Sequence, residues 1–64
     1  MKIRGKIRQR DGSTLIICTA DGSVYKGVVE KDANIYRDGV EVSFVPCFHD
    51  LKMNEALNIC VLSI

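Results

Sequence analysis

The sequence contains no tryptophan, one proline and one histidine, and its other aromatic residues are two tyrosines and two phenylalanines. It also lacks long apolar runs. The longest, Leu15 to Cys18 and Ile59 to Leu62, fall far short of the ~20 residues that a membrane-spanning helix needs. The amino-terminal segment has the charges of a signal peptide without its apolar stretch. We therefore expect a soluble, cytoplasmic protein that does not interact with membranes.

The cysteines show no pattern typical of disulfides or metal sites. Cys18, Cys47 and Cys60 are an odd number and have no Cys-x-x-Cys spacing, whereas small secreted proteins normally have an even disulfide framework. Together with His49 they also lack zinc-finger spacing, so we expect no metal and no cofactor. We interpret them as small hydrophobic residues in a reducing cytosol.

The length of 64 residues leaves room for one small domain. Such a domain buries only about 60% of its unfolded surface, so its core is thin. We interpret residues 1–64 as a single domain. His49 stands beside Asp50, but no nucleophile accompanies them at a meaningful spacing, so we predict that the protein is not an enzyme.

Basic residues are concentrated at the amino terminus, although the net charge is only +1. Residues 1–11 carry five basic residues and one acidic residue, whereas residues 12–64 carry four basic and seven acidic residues. The five basic residues occupy even positions: Lys2, Arg4, Lys6, Arg8 and Arg10. Since strand side chains alternate with period two, a strand places all five on one outer face and turns Ile3, Gly5 and Ile7 inward.

Turn-forming residues divide the rest of the chain into further strands. Asp11-Gly12-Ser13, Asp21-Gly22 and Asp38-Gly39 are typical turn sequences. The later strands are predicted at Thr14–Ala20, Ser23–Val29, Val40–Phe44 and Ala56 to Leu62 or Ile64. The connection Glu30–Gly39 has room for a short helical turn around Asp32–Ile35. Pro46 lacks an amide donor, so we expect it at a strand end or on an edge.

Five short strands at roughly ten-residue spacing, with no long amphipathic helix, predict an all-β fold. The favoured architecture is a small antiparallel barrel of the OB type, and the alternative is an SH3-like barrel. The longer gap between strands three and four favours the OB-fold, which characteristically has a helix or loop there.

Three stretches of the chain resemble the cold-shock domain, a family of OB-fold proteins. Gly5-Lys6-Ile7-Arg8-Gln9-Arg10-Asp11 is similar to that family's first strand, Gly39-Val40-Glu41-Val42-Ser43-Phe44 to its fourth, and Glu55-Ala56-Leu57-Asn58-Ile59 to its last. The resemblance covers nearly the whole chain and implies an OB-fold that binds single-stranded nucleic acid. A weaker similarity links the chain to OB domains of the bacterial translation initiation factor type, which rely more on basic surface.

The departures from the cold-shock pattern fall where that family contacts bases. The predicted second strand has no aromatic residue, Gln9 replaces the tryptophan of strand one, and strand three keeps only Tyr25. Each base stacked on an aromatic ring contributes about 1–3 kcal/mol to binding. We therefore expect weak, salt-dependent and poorly sequence-selective binding.

The leading hypothesis is non-enzymatic binding of single-stranded nucleic acid, RNA rather than DNA, with the basic face following the phosphates. It assumes that the outer faces of strands one and three adjoin. The predicted contacts are Lys6, Arg8, Arg10, Tyr25 and Lys26, with Lys2 and Arg4 extending the track. Two structural alternatives stay open: the basic face is an ordinary solvated face that discourages edge pairing, and Tyr25 is a half-buried barrel residue.

A second hypothesis belongs to another class. In strands two and five both the odd-numbered and the even-numbered residues are apolar, although a barrel strand needs only one face inside. Exposed apolar patches of this kind often mark protein interfaces. In this interpretation the barrel has lost its aromatic platform and acts as a protein-interaction or oligomerisation module, for example as a homodimer.

Overall fold

Five strands form in the computed structural model, which describes residues 1–30 and 34–62. Their bounds are β1 Ile3–Asp11, β2 Thr14–Cys18, β3 Val24–Val28, β4 Glu41–Cys47 and β5 Asn54–Val61. All five strands were expected from turn residues and alternation. No helix in the described residues is long and apolar enough to cross a membrane.

The strands close into a barrel in the order β1-β2-β3-β5-β4. This confirms the all-β, five-stranded OB-like barrel. The expectation of wholly antiparallel pairing is wrong at one seam, because β3 and β5 pair in parallel. Each strand reverses the direction of the one before it, so strands three and five run the same way. Closure then brings these two together.

The turn between β2 and β3 is longer than the two-residue hairpin that Asp21-Gly22 suggests. The strands end at Cys18 and resume at Val24. Gly22 adopts a φ of 87°, which few other residues tolerate, and its N–H donates to the Thr19 carbonyl at 3.0 Å. The Asp21 carboxylate accepts hydrogen bonds from the Thr19 hydroxyl and the Ser23 N–H. These donors, Thr19 foremost, lower the pKa of Asp21 below its usual value of 3.8.

The fourth strand is longer than the pattern Val40–Phe44 predicts, since it continues through Pro46 to Cys47. Pairing with β1 stops at Phe44, so a missing amide donor is tolerated beyond that point. Pro46 is the second-last residue of the strand, close to the strand end where it was expected.

Part of the remaining strand predictions falls outside the described residues. The proposed helical turn includes residues 32 and 33, and the longer version of strand five includes residue 64; these lie outside the described ranges. Strand five itself starts at Asn54, two residues earlier than predicted.

A small core fills the barrel. The buried hydrophobic side chains are Ile7, Leu15, Ile17, Tyr25, Val42, Phe44 and Ala56. Gly5 is also buried. A Cβ atom at this position would lie 2.7 Å from Ile17 Cγ2 and 2.8 Å from the Cys18 carbonyl oxygen, which is too close for any side chain. The glycine thus lets β1 pass close to β2.

Two bulges interrupt the alternation of side chains. Along β1, Ile7 pairs with Ile17 but Gln9 pairs with Ile16, which leaves Arg8 as an extra residue. Along β5 the register shifts between Leu57 and Cys60. A bulge moves the residues that follow it to the opposite face of the strand. In both strands, odd-numbered residues therefore face the core on one side of the bulge and even-numbered residues face it on the other.

Candidate nucleic-acid interface

Four basic side chains of the amino-terminal segment are exposed on the outer surface. We call this set the basic row; its members are Lys2, Arg4, Lys6 and Arg8. No ion pair within 4.0 Å joins a member of the row to a carboxylate of the described residues. The described part of the chain therefore holds none of these four cations in a close ion pair.

Arg10 does not belong to this row, and the prediction that all five cations share one face is wrong for it. The bulge at Arg8 turns Arg10 to the side of the buried Leu15. Its guanidinium donates hydrogen bonds to the carbonyl oxygens of Gly12 at 2.7 Å, Tyr36 at 3.0 Å and Glu30 at 3.3 Å. Arg10 therefore ties loops together at one end of the barrel.

Tyr25 lies in the core with only 4% of its surface exposed. Its ring centroid is 4.9 Å from that of Phe44 and 6.3 Å from that of Phe48. A ring covered in this way has no free face on which a base can stack. Of the two interpretations of Tyr25, the structure agrees with the barrel residue, but the side chain is buried and not half-buried as expected.

Lys26 is exposed on β3 but does not adjoin the basic row. The expected contact between strands one and three is wrong, because β2 lies between them in the barrel. Gln9 of β1 pairs with Ile16, and Ile16 pairs with Lys26. Two strand spacings separate Lys26 from β1, about 10 Å. The outer face of β1, β2 and β3 thus has cations on both margins and an aliphatic centre.

A shallow groove of about 360 Å³ runs beside the basic row. Arg4 and Lys6 line it together with Cys18, Thr19, Ala20 and Glu41. Glu41 is the one carboxylate among the lining residues, and it lies opposite Lys6 in the β1–β4 ladder. The groove therefore combines two cations with one competing anion.

The structure exposes an aromatic ring, that of Phe48, which from the sequence could equally flank a groove or plug the mouth of the barrel and was not among the predicted contacts. Phe48 follows β4 directly, and 64% of its surface is exposed. Because Ile3 pairs with Phe44 in an antiparallel ladder, the end of β4 and the start of β1 lie at the same end of the barrel. In OB-folds generally, the loop between strands four and five contacts nucleic acid, so the position of Phe48 in that loop is the sequence signal that could have indicated it.

The exposed apolar surface that was expected on strands two and five is smaller than predicted, and an apolar groove lies instead at the end of β3. Ile16 and Cys18, on the outer face of β2, are only partly exposed. On β5 the bulge turns Ile59 and Val61 towards the core, which explains much of the apolar content at both parities. A separate apolar groove of about 590 Å³ lies by the end of β3; its lining residues include Val28, Val29, Ile35, Tyr36 and Ile59.

Three side chains of the types that bind metals meet near the end of β4, apart from the basic row. They are Cys47, His49 and Glu55, and their candidate ligand atoms all lie within 4.8 Å of one another. Sequence spacing gave no sign of this cluster, since two of its members are joined by strand pairing and not by a motif.

Comparisons with models of protein families, with curated proteins and with solved structures found no significant match to this chain.

Proposed function

We propose that this OB-like barrel binds single-stranded nucleic acid without catalysing a reaction, and that it does so in the cytoplasm. The observation that carries the proposal is the basic row: three exposed cations on β1 and a fourth on the residue before it, with no ion-pair partner among the described residues. Phosphate groups are the ligands that such a row attracts. Among single-stranded nucleic acids we propose RNA over DNA, a preference that the comparison of oligo-U with oligo-dT below tests.

The binding is mainly electrostatic. If all four cations of the row contact phosphates, the slope of log K against log salt concentration is about −2.8 for a single strand. The surface of β2 beside the row offers Ile16 and Cys18 instead of aromatic rings, so bases gain little from stacking there. Phe48 supplies one exposed ring at the end of the barrel where β1 begins. We therefore propose weak and poorly selective binding.

The central test measures binding of labelled oligo-U and oligo-dT by fluorescence anisotropy over a series of salt concentrations. Arg8→Glu is compared with Arg37→Glu, since both residues are exposed and both changes alter the net charge equally. We expect Arg8→Glu to weaken binding about tenfold at low salt and Arg37→Glu to have a much smaller effect. Absence of binding at low salt, or equal losses in both variants, contradicts the proposal.

A second comparison locates the aromatic contact. Phe48→Ala removes an exposed ring, and we expect about five- to hundredfold weaker binding, in line with the loss of one stacked base. Tyr25→Phe keeps the buried ring and removes only its hydroxyl, so affinity should stay unchanged. Unchanged binding by Phe48→Ala would contradict a base contact at Phe48.

Protein interaction is the second candidate function, and the exposed apolar residues at the end of β3 favour it. Val28 is 71% exposed beside the groove that Ile35 and Ile59 line, and Leu57 is 44% exposed on β5. Sedimentation equilibrium at high protein concentration tests the homodimer, with Val28→Glu as the disrupting variant. A monomer at every concentration contradicts self-association.

A further inference from the structure

Cys47, His49 and Glu55 direct their side-chain ligand atoms to one point. Nε2 of His49 lies 3.7 Å from Sγ of Cys47 and 2.7 Å from Oε1 of Glu55. All three residues are partly buried. Two different strands and the loop between them thus contribute one ligand atom each to the same place.

The backbone around the cluster is held by strand pairing and a loop hydrogen bond. Cys47 ends β4 and pairs directly with Glu55 of β5. The His49 N–H donates to Oδ1 of Asn54 at 2.8 Å, which fixes the start of the loop to its end. The three ligand atoms are therefore brought together before any ligand binds.

The geometry argues against a cysteine–histidine–acid catalytic triad. In a triad the imidazole contacts the nucleophile through one ring nitrogen and the carboxylate through the other. Here both the thiol and the carboxylate lie next to the same nitrogen, Nε2 of His49. A proton cannot be relayed through the ring in that arrangement. Convergence on one point is instead the arrangement that a metal ion requires.

We propose that Cys47, His49 and Glu55 bind a zinc ion. Bond lengths of about 2.0–2.3 Å in a tetrahedron place zinc ligands about 3.5 Å apart. The Cys47–His49 distance of 3.7 Å is already close to this value, and the His49–Glu55 distance of 2.7 Å must open by less than ~1 Å. A thiolate with an imidazole selects zinc over magnesium or calcium. Three protein ligands leave a fourth position for water.

Binding releases the Cys47 thiol proton to solvent, and no oxidation or reduction takes place. The ion joins β4 to β5 and immobilises residues 48–54, the loop that carries Phe48. Because the folded barrel assembles the three ligands and the unfolded chain does not, zinc should stabilise the fold, and above its Kd the gain should grow with the logarithm of the zinc concentration. Zinc binding at this cluster does not require nucleic-acid binding by the basic row.

The test uses the reduced full chain and cobalt(II) as the spectroscopic probe, followed by competition with zinc. We expect one cobalt per chain and a near-ultraviolet thiolate-to-cobalt absorption band that zinc removes. Cys47→Ser should abolish the band, and Cys60→Ser should keep it, because Cys60 lies outside the cluster. His49→Gln and Glu55→Gln should each weaken cobalt binding at least about tenfold.

A thermal readout covers the case in which Cys47→Ser fails to fold. Zinc should raise the unfolding temperature of the wild-type chain and leave that of His49→Gln nearly unchanged. Absence of the absorption band in the wild type overturns the proposal. The same conclusion follows if Cys47→Ser retains the band, or if zinc stabilises His49→Gln as much as the wild type.

Discussion

Arg10 lies opposite Leu15 across the β1–β2 ladder, so a guanidinium shares one side of the barrel wall with a fully buried aliphatic side chain. Directly paired residues of antiparallel strands point to the same face. The one-residue bulge at Arg8 creates this relationship, since without it Arg10 would continue the exposed alternation of Lys6 and Arg8. The same basic residue type thus has two different roles on one strand.

Truncation of Arg10 should lower the stability of the fold, whereas truncation of Arg8 should leave it nearly unchanged. Arg10→Ala removes the donors to three backbone carbonyls, and we expect about 1–3 kcal/mol lower stability. Arg8→Ala removes an exposed side chain, and its stability should stay within about 0.5 kcal/mol of the wild type. Urea denaturation measures both. Equal stabilities would show that the carbonyl contacts of Arg10 do not hold the loops together.

Glu41 should oppose nucleic-acid binding, because it lies opposite Lys6 and lines the same groove. Glu41→Gln removes the negative charge and keeps the shape of the side chain. We expect about two- to fivefold tighter oligonucleotide binding at low salt, with the gain shrinking as salt screens the charge. Glu30→Gln is the control, since it removes an exposed carboxylate from the β3–β4 connection. An equal gain in the control would mean that only net charge matters.

Gly5→Ala should destabilise the barrel by about 1–3 kcal/mol, the usual cost of overpacking a tight core. The added methyl group would meet Ile17 Cγ2 at 2.7 Å and the Cys18 carbonyl oxygen at 2.8 Å. The second of these is backbone, so a change of rotamer cannot relieve it. Chemical denaturation that gives equal or higher stability for Gly5→Ala would contradict this packing.

The Asp21 carboxylate should make stability depend on pH in acid. Its pKa is lowered in the folded protein by the Thr19 hydroxyl and the Ser23 N–H, so it stabilises the fold above the usual pKa of 3.8. That contribution is lost as the pH falls through the lower, folded pKa. The difference in unfolding temperature between the wild type and Asp21→Asn should therefore shrink from about pH 5 to about pH 2.

Two variants complete the pH experiment. Thr19→Val removes the main hydrogen-bond donor to Asp21, so the stability of this variant should depend less on pH in acid than that of the wild type. Asp38→Asn removes an exposed carboxylate elsewhere and serves as the control for net charge. A difference between the wild type and Asp21→Asn that is constant with pH would contradict the role of these hydrogen bonds.

The fold was largely predictable from local patterns. Alternation in residues 3–7 correctly placed Ile7 inside and Lys6 outside, and Asp21-Gly22 marked a turn. The pattern failed beyond Arg8, because a bulge depends on how two strands pair and leaves no distinct signal in one of them. Tyr25 was left between two interpretations because alternation alone does not show which side of β3 faces the core.

The sequence by itself determined five strands, their turns and a surplus of cations at the amino terminus, because these depend on residue type and on spacing along the chain. Barrel closure decided the rest. It placed Arg10 against loop carbonyls, covered Tyr25, exposed Phe48 and brought Cys47, His49 and Glu55 together. Those outcomes depend on contacts between residues that are distant in sequence or on register shifts between strands, and neither is encoded in any single segment.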